Sequence, residues 1–119
     1  MNHDPDCLFC KIIAGTIPSK KLYEDDNCLA FNDIHPAAPI HFLMIPKKHI
    51  SMLAEVTVED TKLLGKMMVL APKIALQAGA RSGKAGGFKV LINNGADGGQ
   101  EVYHLHMHVM GGPRPWNKN

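Results

Sequence analysis

The chain is predicted to fold as an α+β domain, an antiparallel five-stranded sheet carrying one long and one short helix. Three observations lead there. Five short apolar segments are separated by compact turns, and consecutive strands with short links pair antiparallel. A single stretch beginning at Thr57 carries apolar residues at helical spacing. Near the C-terminus, His104, His106 and His108 alternate with Leu105, Met107 and Val109. That period of two belongs to a strand with unlike faces.

Taken in order, Met1–Asp6 is polar and expected to fray. Leu8–Ala14 reads as a short helix stopped by Gly15, with Pro18 barring its continuation. Leu22–Glu24 and Cys28–Asn32 read as strands around Asp25-Asp26-Asn27, a turn composition. Ile34–Pro39 is a loop, and His41–Ile45 a third strand closed by Pro46. Thr57 is the expected N-cap of the long helix, with acids in its first turn. Leu63, Leu64, Met67, Met68, Leu70, Ala71, Ile74, Ala75 and Ala78 carry that helix to about Gln77–Ala80. Pro72 inside it predicts a kink. Its methionines read as core filling rather than a ligand surface. Arg81–Gly87 is a glycine-containing loop, Phe88–Ile92 a fourth strand, and Asn93–Gln100 a turn. Tyr103–Met110 is the fifth strand, ended by Gly111-Gly112-Pro113.

At 119 residues the chain is expected to form one domain, with a core at about 7–112 and an irregular tail at 113–119. The formal charge of +2 is slight and dispersed, which argues against nucleic acid or an anionic membrane as partner. No apolar run approaches the roughly 20 residues of a membrane span. The polar N-terminus lacks the pattern of a signal peptide, so a cytoplasmic location is expected. Three cysteines, an odd number, argue against a disulfide framework.

Three imidazoles on one strand face forgo core burial, which points to a phosphate or metal site rather than a solvated face. The glycine-rich approach Gly95–Gln100 would let backbone N–H groups come close to an anion.

His104-Leu105-His106-Met107-His108-Val109-Met110 resembles the signature of the histidine triad family. Four further blocks look like its Hint branch, in the family's order. These are Cys7–Gly15, Leu29–Ile34, Ile45–Ile50 and Gly98–Tyr103. The resemblance implies the histidine triad fold, with the sheet continued across a homodimer. It implies a hydrolase acting on purine nucleoside phosphoramidates, in which AMP or GMP is joined to an amine. His106 would be the nucleophile, giving a covalent nucleotidyl-histidine, since neutral imidazole is a good nucleophile near pH 7. His108 would touch a phosphate oxygen or leaving group, and His41 would support the active-site histidines. Asp33 would hold ribose hydroxyls, with Phe31, Ile34 and Leu43 against the base. Asn93 and Gln100 resemble phosphate-side contacts. N–H groups around Gly99–Val102 would stabilise charge in the transition state. Glu101 stands where many relatives carry serine; beside a phosphate it favours an amine leaving group. Two other readings stay open, a dinucleoside polyphosphate hydrolase and a nucleotide-binding interaction module with incidental activity.

Cys7-x-x-Cys10 alone is a redox pair, half a zinc site or coincidence. Some relatives complete such a site with two distant histidines, and the corresponding residues are His49 and His104. The resemblance thus implies a structural, four-ligand Zn²⁺ site of Cys7, Cys10, His49 and His104. It also leaves His104 between two duties, metal ligation and support of the catalytic histidines. Cys28 reads as core, and His3 and His35 as surface.

Overall fold

A single aspartate organises the first hairpin. Asp25 Oδ1 accepts from the N–H groups of Asn27 (2.8 Å) and Cys28 (3.0 Å), a side-chain-closed turn. It joins β1 (Lys21–Glu24) to β2 (Cys28–Asn32). Tyr23 donates to the other carboxylate oxygen at 2.7 Å, and Lys66 pairs with it at 2.6 Å. Burial alone would raise the Asp25 carboxyl, but Lys66, Tyr23 and the two backbone donors outweigh it and hold the group well below the usual carboxylate range. The network ties the hairpin to the long helix.

The computed structural model describes residues 4–116. The chain continues through β3 (Ile40–Pro46), α2 (Thr61–Gln77), β4 (Phe88–Leu91) and β5 (Met107–Gly111), after a short α1 (Leu8–Ile13). The five strands lie in the order β1-β2-β3-β5-β4, every neighbouring pair antiparallel. This is the α+β layer expected from the sequence.

Alternation along the strands gives the sheet two working faces. Ala30, Phe42, Met44, Met67, Ala71, Ile74, Met107 and Val109 join in one apolar cluster, where α2 covers the first face. Leu29, Phe31, Leu43 and Ile45 point the other way and meet Phe9, Cys10 and Ile12 of α1. The short helix therefore leaves much of that second face uncovered, and the histidines lie there.

Three expectations need correction. Thr57 does cap a helix start, with Asp60 accepting from the Thr57 N–H, but the first turn is a 3₁₀ turn, Val58–Asp60; the α-helix proper starts at Thr61. Met68 is not on the buried stripe, being 55 % exposed, whereas Met67 is 1 % exposed. The last strand begins at Met107 rather than Tyr103. Pairing with β3 runs from Ile40↔Gly111 to Met44↔Met107 and stops as β3 nears its end. Beyond it the Pro46 carbonyl is taken by the His104 ring, and the Leu105 N–H donates to Ile50 O at 2.6 Å. His104, at a bend, and Leu105 and His106 lead into the strand outside the ladder. Residues 113–116 are irregular; the expectations for residues 1–3, including His3, and for residues 117–119 of the tail fall outside the described residues.

Candidate active site and metal cluster

A hollow of about 490 Å³ opens between α1, the end of β2 and the histidine segment. Phe31, Asp33, Ile34, Leu43, Asn93, Gly99, Glu101, Val102, His106 and His108, all expected at the site, line it. Gly99 sits at φ +80°, a left-handed conformation that suits glycine and brings the backbone to the hollow's rim. Three anticipated residues stand elsewhere, His104 among them, in the cluster described below. Gln100 is not in the lining: its amide donates to Ser51 O (2.8 Å) and Val102 O (2.9 Å) and accepts from the Gly95 N–H (2.8 Å). His41 lies behind His108, against a neighbouring smaller hollow. Asn94 is a structural residue, accepting from the Ala54 N–H at 2.7 Å.

The hydrogen bonds fix which nitrogen of each ring carries a proton. His106 Nδ1 lies 2.7 Å from the His104 carbonyl, so it must donate, and Nε2 keeps its lone pair. His41 Nδ1 accepts from the Ala37 N–H at 2.9 Å, so the proton of His41 is on Nε2. That Nε2–H donates to His108 Nδ1 at 3.0 Å, which leaves His108 with its own proton on Nε2. One ring therefore offers a lone pair and the next an N–H, with ring centroids 5.0 Å apart.

Electrostatics keep these rings neutral at pH 7. Burial pushes the His106 imidazole below its ordinary value, against opposing pulls from the His104 carbonyl and Asp33. Burial, followed by repulsion from His106 and His41, lowers His108 to about 4. His41 is lowered by burial too, against Asp33. Asp33 Oδ2 lies 3.4 Å from His41 Nε2 and acts on a neutral ring, as a charge on a dipole rather than one half of an ion pair.

A second cluster adjoins the first. Donor atoms of Cys7, Cys10, His49 and His104 all lie within 4.8 Å of one another. His104 donates from Nε2 to Pro46 O at 2.8 Å, so its Nδ1 lone pair faces the thiols, 3.3 Å from Cys7 Sγ and 3.7 Å from Cys10 Sγ. His49 Nδ1 is 3.2 Å from His104 Nδ1 and 3.5 Å from Cys10 Sγ. Two soft sulfurs and two imidazole nitrogens converging in this way can hold a transition-metal ion. The two clusters share His104, whose ring faces the thiols while its carbonyl holds His106. Phe9 spans them, with its ring centroid 5.9 Å from that of His104 and 5.1 Å from that of His106.

The HIT domain family matches residues 14–114 of this chain. The chain belongs to the HIT family. Protein HitA of Neisseria gonorrhoeae is 53 % identical over 108 residues, covering 91 % of this chain and 97 % of that protein. Among solved structures, a HIT family hydrolase from Legionella pneumophila is 45 % identical with a TM-score of 0.85, covering 92 % of this chain and 95 % of that one. A histidine triad protein from Clostridium difficile is 44 % identical with a TM-score of 0.87, covering 98 % and 99 %. The HIT match spans every strand of the sheet and the three histidines.

Within this HIT site, Leu8, Phe9, Ile12, Ile17, Pro18, Ser19, Asn32 and His35 also line the hollow. Ile17, Pro18 and Ser19 were missed because the segment joining α1 to β1 has no motif of its own; Leu8, Phe9, Ile12 and Asn32 lie in recognised blocks, but no local pattern marks which of their side chains meet the hollow. His35, read as a surface residue, is exposed and yet borders the hollow, its backbone N–H donating to Asp33 Oδ1 at 2.8 Å. Cys28 is fully buried, as expected of a core residue.

Proposed function

We propose that this HIT protein is a nucleotide hydrolase that cleaves the P–N bond of purine nucleoside phosphoramidates through a covalent nucleotidyl-His106 intermediate. One observation carries the reading: His106 lines the hollow with Nδ1–H held by a carbonyl and Nε2 unprotonated, the state an attacking imidazole needs. In the first step Nε2 bonds to phosphorus as the P–N bond breaks, and the departing nitrogen takes up a proton. Water then displaces the histidine, leaving a nucleoside monophosphate and giving up a proton, so the sum is hydrolysis. His108 Nε2–H supports a role as donor to a phosphoryl oxygen, with the Gly99–Val102 backbone beside it. Asp33 suits a ribose diol, having acceptor oxygens only. The apolar walls Phe31, Ile34 and Leu43 suit a purine. Glu101 lines the same hollow, which is consistent with an amine leaving group.

The metal in this reading is structural zinc. Bonds of about 2.0–2.1 Å to nitrogen and 2.3 Å to sulfur set tetrahedral edges of about 3.3 Å (N···N) and 3.6 Å (N···S). The separations of 3.2 Å between the imidazole nitrogens and 3.3–3.7 Å from nitrogen to sulfur match them. Such an ion would staple α1 to the sheet. The buried thiols suit a reducing compartment, in keeping with a cytoplasmic enzyme. The working species is proposed as a homodimer whose sheet continues through β4, an edge strand of this one.

Assaying tryptamine-AMP beside diadenosine polyphosphates tests the proposal. Turnover of the phosphoramidate, abolished in His106→Ala while AMP still binds, is the expected result. An unimpaired His106→Ala variant would eliminate the covalent route; cleavage of the polyphosphates alone, or AMP binding without any turnover, would replace the proposed substrate or activity.

A further inference from the structure

Ser19 brings to the hollow a hydroxyl that is shielded from solvent and yet has no partner. Its residue lines the cavity between Pro18 and β1, and its Oγ is shielded from solvent. Among the described residues this hydroxyl is the buried side-chain polar atom with no hydrogen-bond partner. Native proteins rarely leave such a group unmatched, and one that persists calls for an explanation.

Four of the polar side chains that share the hollow each have an atom bonded to another group, and none of them to Ser19. Asp33 accepts from the His35 N–H, Asn93 donates to Gly98 O, His106 donates to His104 O, and His108 accepts from His41. The Lys20 carbonyl accepts from the Asn32 N–H at 3.1 Å, tethering the Ser19 segment alongside β2, next to Asp33. The lining that Ser19 shares includes the apolar Ile12, Ile17 and Phe31, together with the polar Asn32 and Asp33 at the end of β2. Apolar walls with an unmatched hydroxyl at their margin, one rotation away from the hollow, suit a planar group with a polar edge.

We infer that Ser19 determines specificity, its hydroxyl turning into the hollow to hydrogen-bond the heteroatom edge of a nucleobase. The inference rests on the nucleotide reading of the hollow given above. A hydroxyl both donates and accepts, so it serves the amino edge of adenine and the carbonyl edge of guanine alike. It discriminates against rings that lack such an edge, because the hydroxyl then stays unmatched in the complex as it is in the free protein.

Ser19→Ala tests this through calorimetric titration of AMP, 2′-deoxy-AMP and benzimidazole ribonucleoside 5′-monophosphate, whose ring has no heteroatoms on the corresponding edge. The variant should bind AMP and 2′-deoxy-AMP more weakly by roughly three- to tenfold, the net worth of one neutral hydrogen bond, and the benzimidazole nucleotide as well as wild type does. Without nucleotide its melting temperature should rise, since an unmatched buried hydroxyl has been removed; a structural serine would give a fall. Equal losses for AMP and the benzimidazole nucleotide would overturn the inference, as would a loss confined to ligands with the ribose 2′-hydroxyl. If wild type binds none of the three, the nucleotide reading fails with it. If wild type binds AMP and Ser19→Ala binds it equally well, only the role of Ser19 fails.

Discussion

Holding His108 neutral has a cost that appears as acid sensitivity. The ring titrates at about 4 in the folded protein, against an ordinary value of 6.5. Below pH 6.5 the unfolded chain therefore binds a proton that the folded chain refuses, and stability falls as pH drops from 6.5 towards 4. At about 1.4 kcal/mol per pH unit, this group alone accounts for about 2 kcal/mol between pH 7 and pH 5. His108 is only partly buried, and solvent screening trims the figure to about 1–2 kcal/mol, a sizeable part of a domain's usual 5–15 kcal/mol. The carboxylates held low, Asp25, Asp60 and Glu24, have ordinary values of 3.8–4.5, so their losses fall mainly below pH 5 and do not confuse the window. The perturbation is His108→Gln, whose amide oxygen can still accept the His41 Nε2–H. Urea unfolding of both proteins at pH 7 and pH 5 measures the difference. Wild type should lose about 1–2 kcal/mol more than the variant over that interval, and parallel losses would refute the assignment of a neutral, depressed His108. His41 and His106 share the same sign and remain in both proteins, so the difference reports the His108 ring together with its coupling to those two.

Two further outcomes are expected. Protein purified without added metal should carry about one zinc per chain by elemental analysis, and Cys10→Ser should lose it and melt at a lower temperature; a metal-free wild type with both thiols freely reactive would sink the assignment. Glu101→Ser should slow cleavage of amine-leaving substrates more than phosphate-leaving ones, measured as kcat/KM on each, and equal changes would remove Glu101 from leaving-group selection.

Local signals made most of this architecture readable. Asp25-Asp26-Asn27 announced a turn, and the Asp25 side chain closes it. That turn and the apolar run behind it placed β2 at Cys28–Asn32, the range the structure has. The four proposed metal ligands were readable only through resemblance, because Cys7 and His104 are 97 positions apart and no local pattern joins them. Where the reading missed, long-range competition decided. Tyr103–His106 has a strand's alternation, but Pro46 and Ile50 engage His104 and Leu105 and leave no ladder for it to join. Gln100 carries a polar side chain beside a glycine turn, which in sequence looks available to a phosphate; three main-chain partners claim it instead. Met68 fits the helical spacing but falls at the edge of the stripe, where nothing packs over it closely enough to exclude water. Ser19 has no sequence signal at all, since its meaning lies in what fails to meet it.

The close approach at the end of β5 shows how tightly the exit from the site is built. Gly112 has φ +110°, and a methyl group there would come within 2.7–2.8 Å of the Pro39 ring. Pro39 ends the loop that also carries Ala37, whose N–H sets the proton on His41 and, through it, on His108. A bulkier residue at 112, outside the lining of the hollow, would thus press on the loop that decides which face of two imidazoles is acidic. Damage at that glycine would be read in the histidine pair as the wrong tautomer, with both rings still in the sequence.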